Sequence, residues 1–214
     1  MKNIVSIEGN IGVGKTTFTN ILQKHYTESV IVSEPVDIWL NTKTKNGENI
    51  LGLFYKDINR WAYTFQNIAY VTRMMKIQDA INSDKEIIFL DRSLGTDKNV
   101  FEKMLYDDGI ISDIEHNIYN LWCDFYKNYI NNINIKYIYL RCSPETAYDR
   151  IKKRGREEEK NITLEYLVKL HKYHEEWLNK NSNNIIIIDC DKDFENDIDY
   201  QTAIINKLNN NLLI

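Results

Sequence analysis

The stretch Gly9-Asn10-Ile11-Gly12-Val13-Gly14-Lys15-Thr16, entered directly from the apolar run Ile4-Val5-Ser6-Ile7, decides the fold. It satisfies the pattern GxxxxGK[ST] at every position, and each position has a physical reason. Glycines let the backbone curl until successive N–H groups face one anion. The Lys15 ammonium reaches the outer phosphates, and the Thr16 hydroxyl is placed to ligand Mg²⁺. The segment Thr16-Thr17-Phe18-Thr19-Asn20-Ile21-Leu22 then opens a helix whose N-terminal dipole adds to the anion site. The candidate phosphate-binding residues are therefore Gly9, Asn10, Ile11, Gly12, Val13, Gly14, Lys15, Thr16 and Thr17.

Four further short apolar runs follow: Val30-Ile31-Val32, Ile87-Ile88-Phe89-Leu90, Tyr137-Ile138-Tyr139-Leu140 and Ile185-Ile186-Ile187-Ile188. Longer helical segments separate them. Continuous apolar character is what a strand covered on both faces needs, and strand–helix alternation points to a parallel sheet with right-handed crossovers. The expected fold is three-layer α/β of the P-loop kinase type: a five-stranded parallel sheet, helices on both faces, and a short lid at about residues 150–160. The 214 residues are expected to form one domain, because the chain contains two prolines and eight glycines, with no Ser/Gly linker and no internal repeat.

Composition removes several function classes. A net charge of −4 argues against a general nucleic-acid binder, which shows a strongly basic face. No apolar run approaches the roughly 18 residues of a membrane span, and no charged leader with an apolar core begins the chain. Cys123, Cys142 and Cys190 are odd in number and lack metal-ligand spacing, so reduced thiols in a cytoplasmic compartment are expected.

In open α/β sheets ligands gather at the carboxyl ends of the strands. Asp91 follows its apolar strand as a Walker-B aspartate does, placed to hold Mg²⁺ with Thr16; a helix cap is the alternative. Glu34, locked by Pro35, puts a carboxylate at the same edge, where it is able to accept a proton from an attacking hydroxyl or to serve only as a solvated cap. Arg141 ends another strand. Arg150, Lys152, Lys153, Arg154 and Arg156 surround Gly155 before Glu157-Glu158-Glu159, a cluster suited to a lid over transferring phosphates, against a localisation patch or a solvated charge run. His171 and His174 share a helical face but lack a convergent third ligand, which favours packing over zinc. Trp61, Tyr63, Phe65 and Tyr70 read as core and pocket wall, because no basic residues interleave them as a nucleic-acid platform requires.

Taken in order, these segments resemble the deoxynucleoside kinase family, which includes deoxycytidine, deoxyguanosine and deoxyadenosine kinases. The resemblance spans nearly the whole chain: Ile7-Glu8-Gly9-Asn10-Ile11-Gly12, Glu34-Pro35-Val36 with Trp39, Arg60-Trp61-Ala62-Tyr63-Thr64-Phe65-Gln66, Asp91-Arg92-Ser93, Arg154-Gly155-Arg156-Glu157-Glu158, Leu164-Glu165-Tyr166-Leu167 and Asp193-Phe194. It implies that Glu34 engages the 5′-hydroxyl of a deoxynucleoside with Arg92 beside it. Tyr55 and Glu159 would hold the 3′-hydroxyl, Gln66 would pair with the base edge, and Trp39, Phe54 and Phe65 would wall and stack the base. Arg73 and Asp97 would form a charged pair at the pocket floor that favours cytosine and purines over thymine. Arg150, Arg154 and Arg156 match lid arginines around ATP, and Asp193-Phe194 matches the loop near adenine. A homodimer through the helices around 60–82 and 112–130 is implied in the same way.

Two departures stand out. Asp91 replaces a glutamate common in animal members, so the Mg²⁺ contact is expected to be more water-mediated. Gly95 replaces a bulkier residue, which leaves sugar and base selectivity open. The expected activity is ATP-dependent, Mg²⁺-assisted phosphorylation of a deoxynucleoside in salvage, with Lys15, Glu34 and Arg92 catalytic. The alternatives are a nucleoside monophosphate kinase of the thymidylate kinase type, or a non-catalytic kinase-like subunit.

Overall fold

Isoleucine and valine favour extended backbone because branching at Cβ stiffens χ1 and packs well on a pleated surface. Every apolar run read from the sequence is a strand in the computed structural model, which describes residues 2–129, 135–179 and 185–212. The strands are β1 (Asn3–Glu8), β2 (Ser29–Val32), β3 (Ile87–Asp91), β4 (Ile135–Arg141) and β5 (Ile185–Asp189). They form one all-parallel sheet of five strands in the order β2-β3-β1-β4-β5. β1 lies at its centre, and the chain crosses from one side of it to the other between β3 and β4. The loops leaving the strand ends diverge there and open a crevice.

Helices cover both faces. Val5, Ile7, Phe89 and Ile138 pack against Phe18 and Leu22 of α1 (Lys15–His25), Ile151 of α8 (Pro144–Arg154) and Leu208 of α10 (Ile198–Leu212). On the opposite face Ile4, Ile88 and Leu90 meet Ile77 and Ala80 of α4 (Ile58–Ile81). There too Tyr137 and Tyr139 lie against Trp177 and His174 of α9 (Leu164–Asn179). The shorter α2 (Val36–Asn41) and α3 (Ile50–Lys56) roof the crevice beside α4. No helix among the described residues is long and apolar enough to cross a membrane.

β5 departs from the expectation of a strand covered on both faces. Ile186 and Ile188 are buried, whereas Ile187 is 44% exposed. The reason is position: β5 is an edge strand, with a neighbouring strand on one side only. Arg141 also departs, since it turns away from the crevice and grips Glu175 of α9 through Nε and Nη2 at 2.9 and 2.8 Å.

After β3 the chain runs through α5 (Leu94–Thr96), a π-helical stretch (Asp97–Glu102) and α6 (Lys103–Asp107), then α7 (Asp113–Tyr129). π-helical turns widen the backbone and re-aim side chains, often at functional sites. This one presents Asp97 and Phe101 to the crevice.

Gly95 does not face the crevice. A Cβ built there would lie 2.5 Å from Cζ2 of Trp177 and 3.1 Å from Oγ of Ser93, so its missing side chain is the space that the indole fills. The bulk absent at Gly95 is thus a packing matter and not an open side of the substrate pocket. Gly95→Ala is expected to cost about 1–3 kcal/mol through overpacking, read as a fall in Tm of roughly 2–4 °C per kcal/mol. The double change Gly95→Ala/Trp177→Phe should be less destabilised than the sum of the two single changes, as contacting residues require. Strict additivity would show that the two residues do not touch.

Candidate active site

The crevice is a cavity of about 1010 Å³ running from the phosphate loop to the aromatic residues of α2, α3 and α4. At its donor end Ile11, Gly12, Val13, Gly14, Lys15, Thr16 and Thr17 line the wall. Gly14 caps α1 in the left-handed region, at φ 99°, and no side chain caps the helix, so the first-turn N–H groups are free to face an anion. A side chain at Gly14 would also collide with the Phe194 ring, 2.8 Å from the built Cβ. Phe194 in turn stands edge-on to Phe18 at 5.9 Å, which seats the Asp193-Phe194 loop on the phosphate loop. Asp193 accepts hydrogen bonds from the backbone N–H groups of Glu195 and Asn196 and shapes the turn.

Gly9 and Asn10 stand behind this surface. The Asn10 amide donates to Leu167 O at 2.9 Å and accepts from the Ile11 N–H, locking the loop to α9. The buried Lys15 ammonium folds back onto the loop, donating to Asn10 O at 2.8 Å and Gly9 O at 3.3 Å. Burial, then the charge of Arg92, lowers the Lys15 pKa to about 7 despite nearby carboxylates.

At the strand ends three carboxylates meet two guanidinium groups. Arg92 donates to Glu34 Oε1 at 2.7 Å and to Gly9 O at 3.2 Å. Arg73, from the middle of α4, donates to Asp97 through Nε and Nη2 at 2.8 and 3.3 Å, to Asp91 O at 2.8 Å, and to Glu34 at 3.1 Å. Burial works against the charge on Arg73, but Asp97 and Glu34 outweigh it and its pKa is raised. Burial likewise pushes Glu34 up, yet Arg92, Arg73 and Lys15 overcome this and bring it to about 2. Asp91 is raised, by burial first and by Glu34 second. Its Oδ1 is buried without a hydrogen-bond partner.

The other end of the cavity is walled by aromatic side chains, with polar groups among them. Phe54 and Phe65 stack at 4.7 Å, and Trp39 stands edge-on to Phe65 at 5.2 Å with its indole N–H on Thr72. The 4.7 Å spacing leaves no room for a further planar ring between the two phenyl rings. Gln66 lines the cavity at 2% exposure, and its amide makes no hydrogen bond among the described residues. Tyr55 lies beside Glu159 and Tyr166, and burial raises its phenol well above the usual range.

The lid closes the third side. Arg150 donates to Val13 O at 3.3 Å, and Arg154 grips both oxygens of Glu159 at 2.7 and 2.6 Å. Arg156 is 3.6 Å from the same carboxylate. Glu159 is thus bound by the lid itself in this conformation.

His171 and His174 do not converge on a metal. His174 is fully buried, its Nδ1–H donates to Leu170 O at 2.7 Å, and it is held neutral because burial lowers its pKa to about 3. Three residues that line or shape the site carried no role in the sequence reading. Phe101 lies under Arg92, 5.2 Å from ring centroid to guanidinium carbon, and Tyr166 lines the cavity beside Tyr55. Glu8 is fully buried and accepts from Ser6, Ser93 and Thr96. Only long-range packing distinguishes Phe101 from any core phenylalanine.

The residues present suit a magnesium–nucleotide ligand. Asp91 offers an unsatisfied oxygen, Thr16 a hydroxyl on the cavity wall, and the loop a ring of N–H donors, a hard-oxygen set matched to Mg²⁺ with phosphate as co-ligand.

The sequence matches the family Deoxynucleoside kinase over residues 5–213. A probable deoxycytidine kinase of fowlpox virus is 38% identical over 209 residues, covering 95% of this chain and 86% of the relative. Deoxycytidine kinase of Homo sapiens is 37% identical over 193 residues, covering 81% and 74%. A mitochondrial deoxyguanosine kinase of Xenopus laevis is 32% identical over 220 residues, covering 90% and 83%. With a match over nearly its whole length, and relatives of that identity and coverage, the chain belongs to the deoxynucleoside kinase family.

Proposed function

We propose that this deoxynucleoside kinase works as one catalytic domain over residues 1–214 and transfers the γ-phosphoryl group of Mg·ATP to the 5′-hydroxyl of a deoxynucleoside. Deoxycytidine or a purine deoxynucleoside is favoured over thymidine, and the reaction serves nucleotide salvage in the cytoplasm. The observation that carries this reading is Glu34, held between Arg92 and Arg73 at the acceptor end of the phosphate loop. A monophosphate kinase needs unpaired cations there for its substrate phosphate. Here the cations are committed to a carboxylate, which suits a neutral hydroxyl instead.

In the reaction the 5′-oxygen bonds to the γ-phosphorus as the bond to the β–γ bridging oxygen breaks, and the hydroxyl proton passes to Glu34. A carboxylate with a pKa of about 2 is a weak base. Glu34 therefore acts mainly by orienting the hydroxyl, and takes the proton late, when the oxygen has become acidic. The loose phosphoryl transition state tolerates this. Arg92 stabilises the charge on the transferring group, with Lys15 on the donor phosphates and Arg150, Arg154 and Arg156 closing from the lid. Thr16 and Asp91 would hold Mg²⁺, which when bound neutralises phosphate charge. Tyr55 and Glu159 hold the 3′-hydroxyl once Glu159 leaves its lid arginines. Gln66 offers both donor and acceptor to the base edge, against walls of Trp39, Phe54 and Phe65. Asp193 and Phe194 border the adenine.

A homodimer completes the proposal. The face Ile114, Ile118, Leu121 and Phe125 of α7, with Trp122 and with Met75 of α4, is an exposed apolar stripe at helical spacing. A second copy of the chain is its occupant; residue 130, at the end of the segment expected to pair, lies outside the described residues.

Lys15→Ala is expected to abolish useful turnover with little change in Tm. Because phosphate favours the ammonium form, ATP binding at pH 8 should take up protons from buffer, seen as a dependence of calorimetric heat on buffer ionisation enthalpy. Binding without proton uptake would contradict the lowered Lys15 pKa.

Glu34→Gln should lower kcat by about 10²-fold, at the weak end of general-base losses, with a smaller change in the nucleoside KM. Since the Glu34 pKa is depressed to about 2, its charge is constant above pH 5, and the kcat ratio should be the same from pH 5 to 8. A ratio that climbs with pH across that window would show that Glu34 titrates there.

Phosphorylation of the four deoxynucleosides, their ribonucleosides and thymidylate under one set of conditions tests the substrate class. Asp97 favours an exocyclic amino donor over the O4 acceptor of thymine, and a buried polar group left unmatched discriminates strongly. The joint change Arg73→Met/Asp97→Ala should move preference toward thymidine, whereas either change alone strands a buried charge. An unchanged ranking in the double variant would remove the pair from base selection.

A further inference from the structure

We infer that Glu8 is a positioning residue for phosphoryl transfer: its buried carboxyl group holds the Asp91-Arg92-Ser93 turn in the one backbone conformation that brings the Arg92 guanidinium to both Glu34 and the phosphate loop. The inference rests on the proposed role of Arg92 and assigns the residue that makes this role possible.

Arg92 is the only non-glycine residue with positive φ among the described residues, at 67°. Left-handed backbone at such a residue is strained and persists only where its surroundings over-determine it. Two contacts bracket it. Its own N–H donates to Ile7 O at 3.0 Å, continuing the β1–β3 ladder one residue past Asp91. The next N–H, that of Ser93, donates to Glu8 Oε1 at 3.0 Å. The same oxygen accepts from Ser93 Oγ at 2.7 Å and from Ser6 Oγ at 2.7 Å, and Oε2 accepts from Thr96 Oγ1. Ser93 Oγ in turn accepts the Gly95 N–H at 3.2 Å, so the clamp continues into α5.

Glu8 has no cationic partner among these contacts. It is fully buried, and every group it touches is a donor, so its carboxyl oxygens are used entirely to fix backbone and hydroxyl positions. Arrangement explains the cost of burying it. Glu8 is the last residue of β1, and Gly9, the first of the phosphate loop, follows it. Arg92 Nη2 donates to Gly9 O at 3.2 Å while Nη1 donates to Glu34. One carboxyl group therefore ties the donor loop and the acceptor-side arginine into a single rigid unit. Side chains with that task must be placed closely, since misplacement near 1 Å costs on the order of 10² in rate.

The test is a double-mutant cycle between Glu8→Gln and Arg92→Lys in the full-length enzyme. Glutamine keeps the size but replaces one acceptor oxygen by a donor NH₂ facing Thr96 or Ser93. Glu8→Gln should lower kcat by about tenfold or more, measured well below its Tm, with the KM for ATP within about twofold. In the Arg92→Lys background the same change should have little further effect, because the residue it positions is gone. Wild-type kcat per folded molecule with a lowered Tm, or full additivity with Arg92→Lys, would overturn the inference and leave Glu8 a structural group. Unchanged kcat in Arg92→Lys alone would overturn the reading of Arg92, and the inference with it. If Glu8→Gln does not fold, Ser93→Ala removes one clamp hydroxyl and is held to the same criteria.

Discussion

Arg73 enters the cavity from the middle of α4 at 3% exposure and satisfies Asp97, the carbonyl of Asp91 and Glu34 with one planar guanidinium. Those three partners come from the π-helical stretch, the end of β3 and the turn after β2, and one guanidinium fixes their positions relative to one another. A lysine would not serve, because its ammonium offers a point charge where a rigid fork of donors is needed. The rest of the acceptor site follows from this contact. Glu34 is gripped by it together with Arg92, and the Arg73–Asp97 couple closes that end of the cavity.

The same contact sets the electrostatics. Lys15, Arg73 and Arg92 stand against Glu34, Asp91 and Asp97 in a wall mostly removed from water. Desolvation of so many charges is tolerated only when each has partners, and removing one member costs more than the pair contributes. Two consequences reach the chemistry. Glu34 is strongly stabilised as an anion, and burial leaves Lys15 with a pKa of about 7.

The arginine cluster around Gly155 is held differently from the site beneath it. Arg154 and Arg156 hold Glu159 through ion pairs that are partly solvent-exposed, with the Arg156 side chain 51% exposed. Exposed pairs contribute little net stability, so these contacts are weaker than the buried arginine network beneath them. The arginine network beneath is buried and fixed. The site thus combines a buried floor with a partly exposed cover.

The phosphate loop, the five strands and the strand-end position of Glu34 and Asp91 were legible in the chain, because each rests on local chemistry: glycine torsions, a helix N-terminus, apolar runs between polar ends. The lid arginines were legible as a cluster. Resemblance to a family supplied Arg73, Asp97, Gln66 and Tyr55, which no local pattern marks. What only the tertiary structure decided depends on residues distant in sequence. β5 opens one face because it became an edge, and Gly95 serves Trp177 rather than the substrate. Arg92 adopts left-handed backbone because Ile7 and Glu8, more than eighty residues earlier, accept the N–H groups of Arg92 and Ser93. A sequence determines what each segment prefers by itself. Which buried donor meets which acceptor is settled only when the sheet brings the strand ends together, since a hydrogen bond depends on ångström-scale geometry that no spacing along the chain encodes.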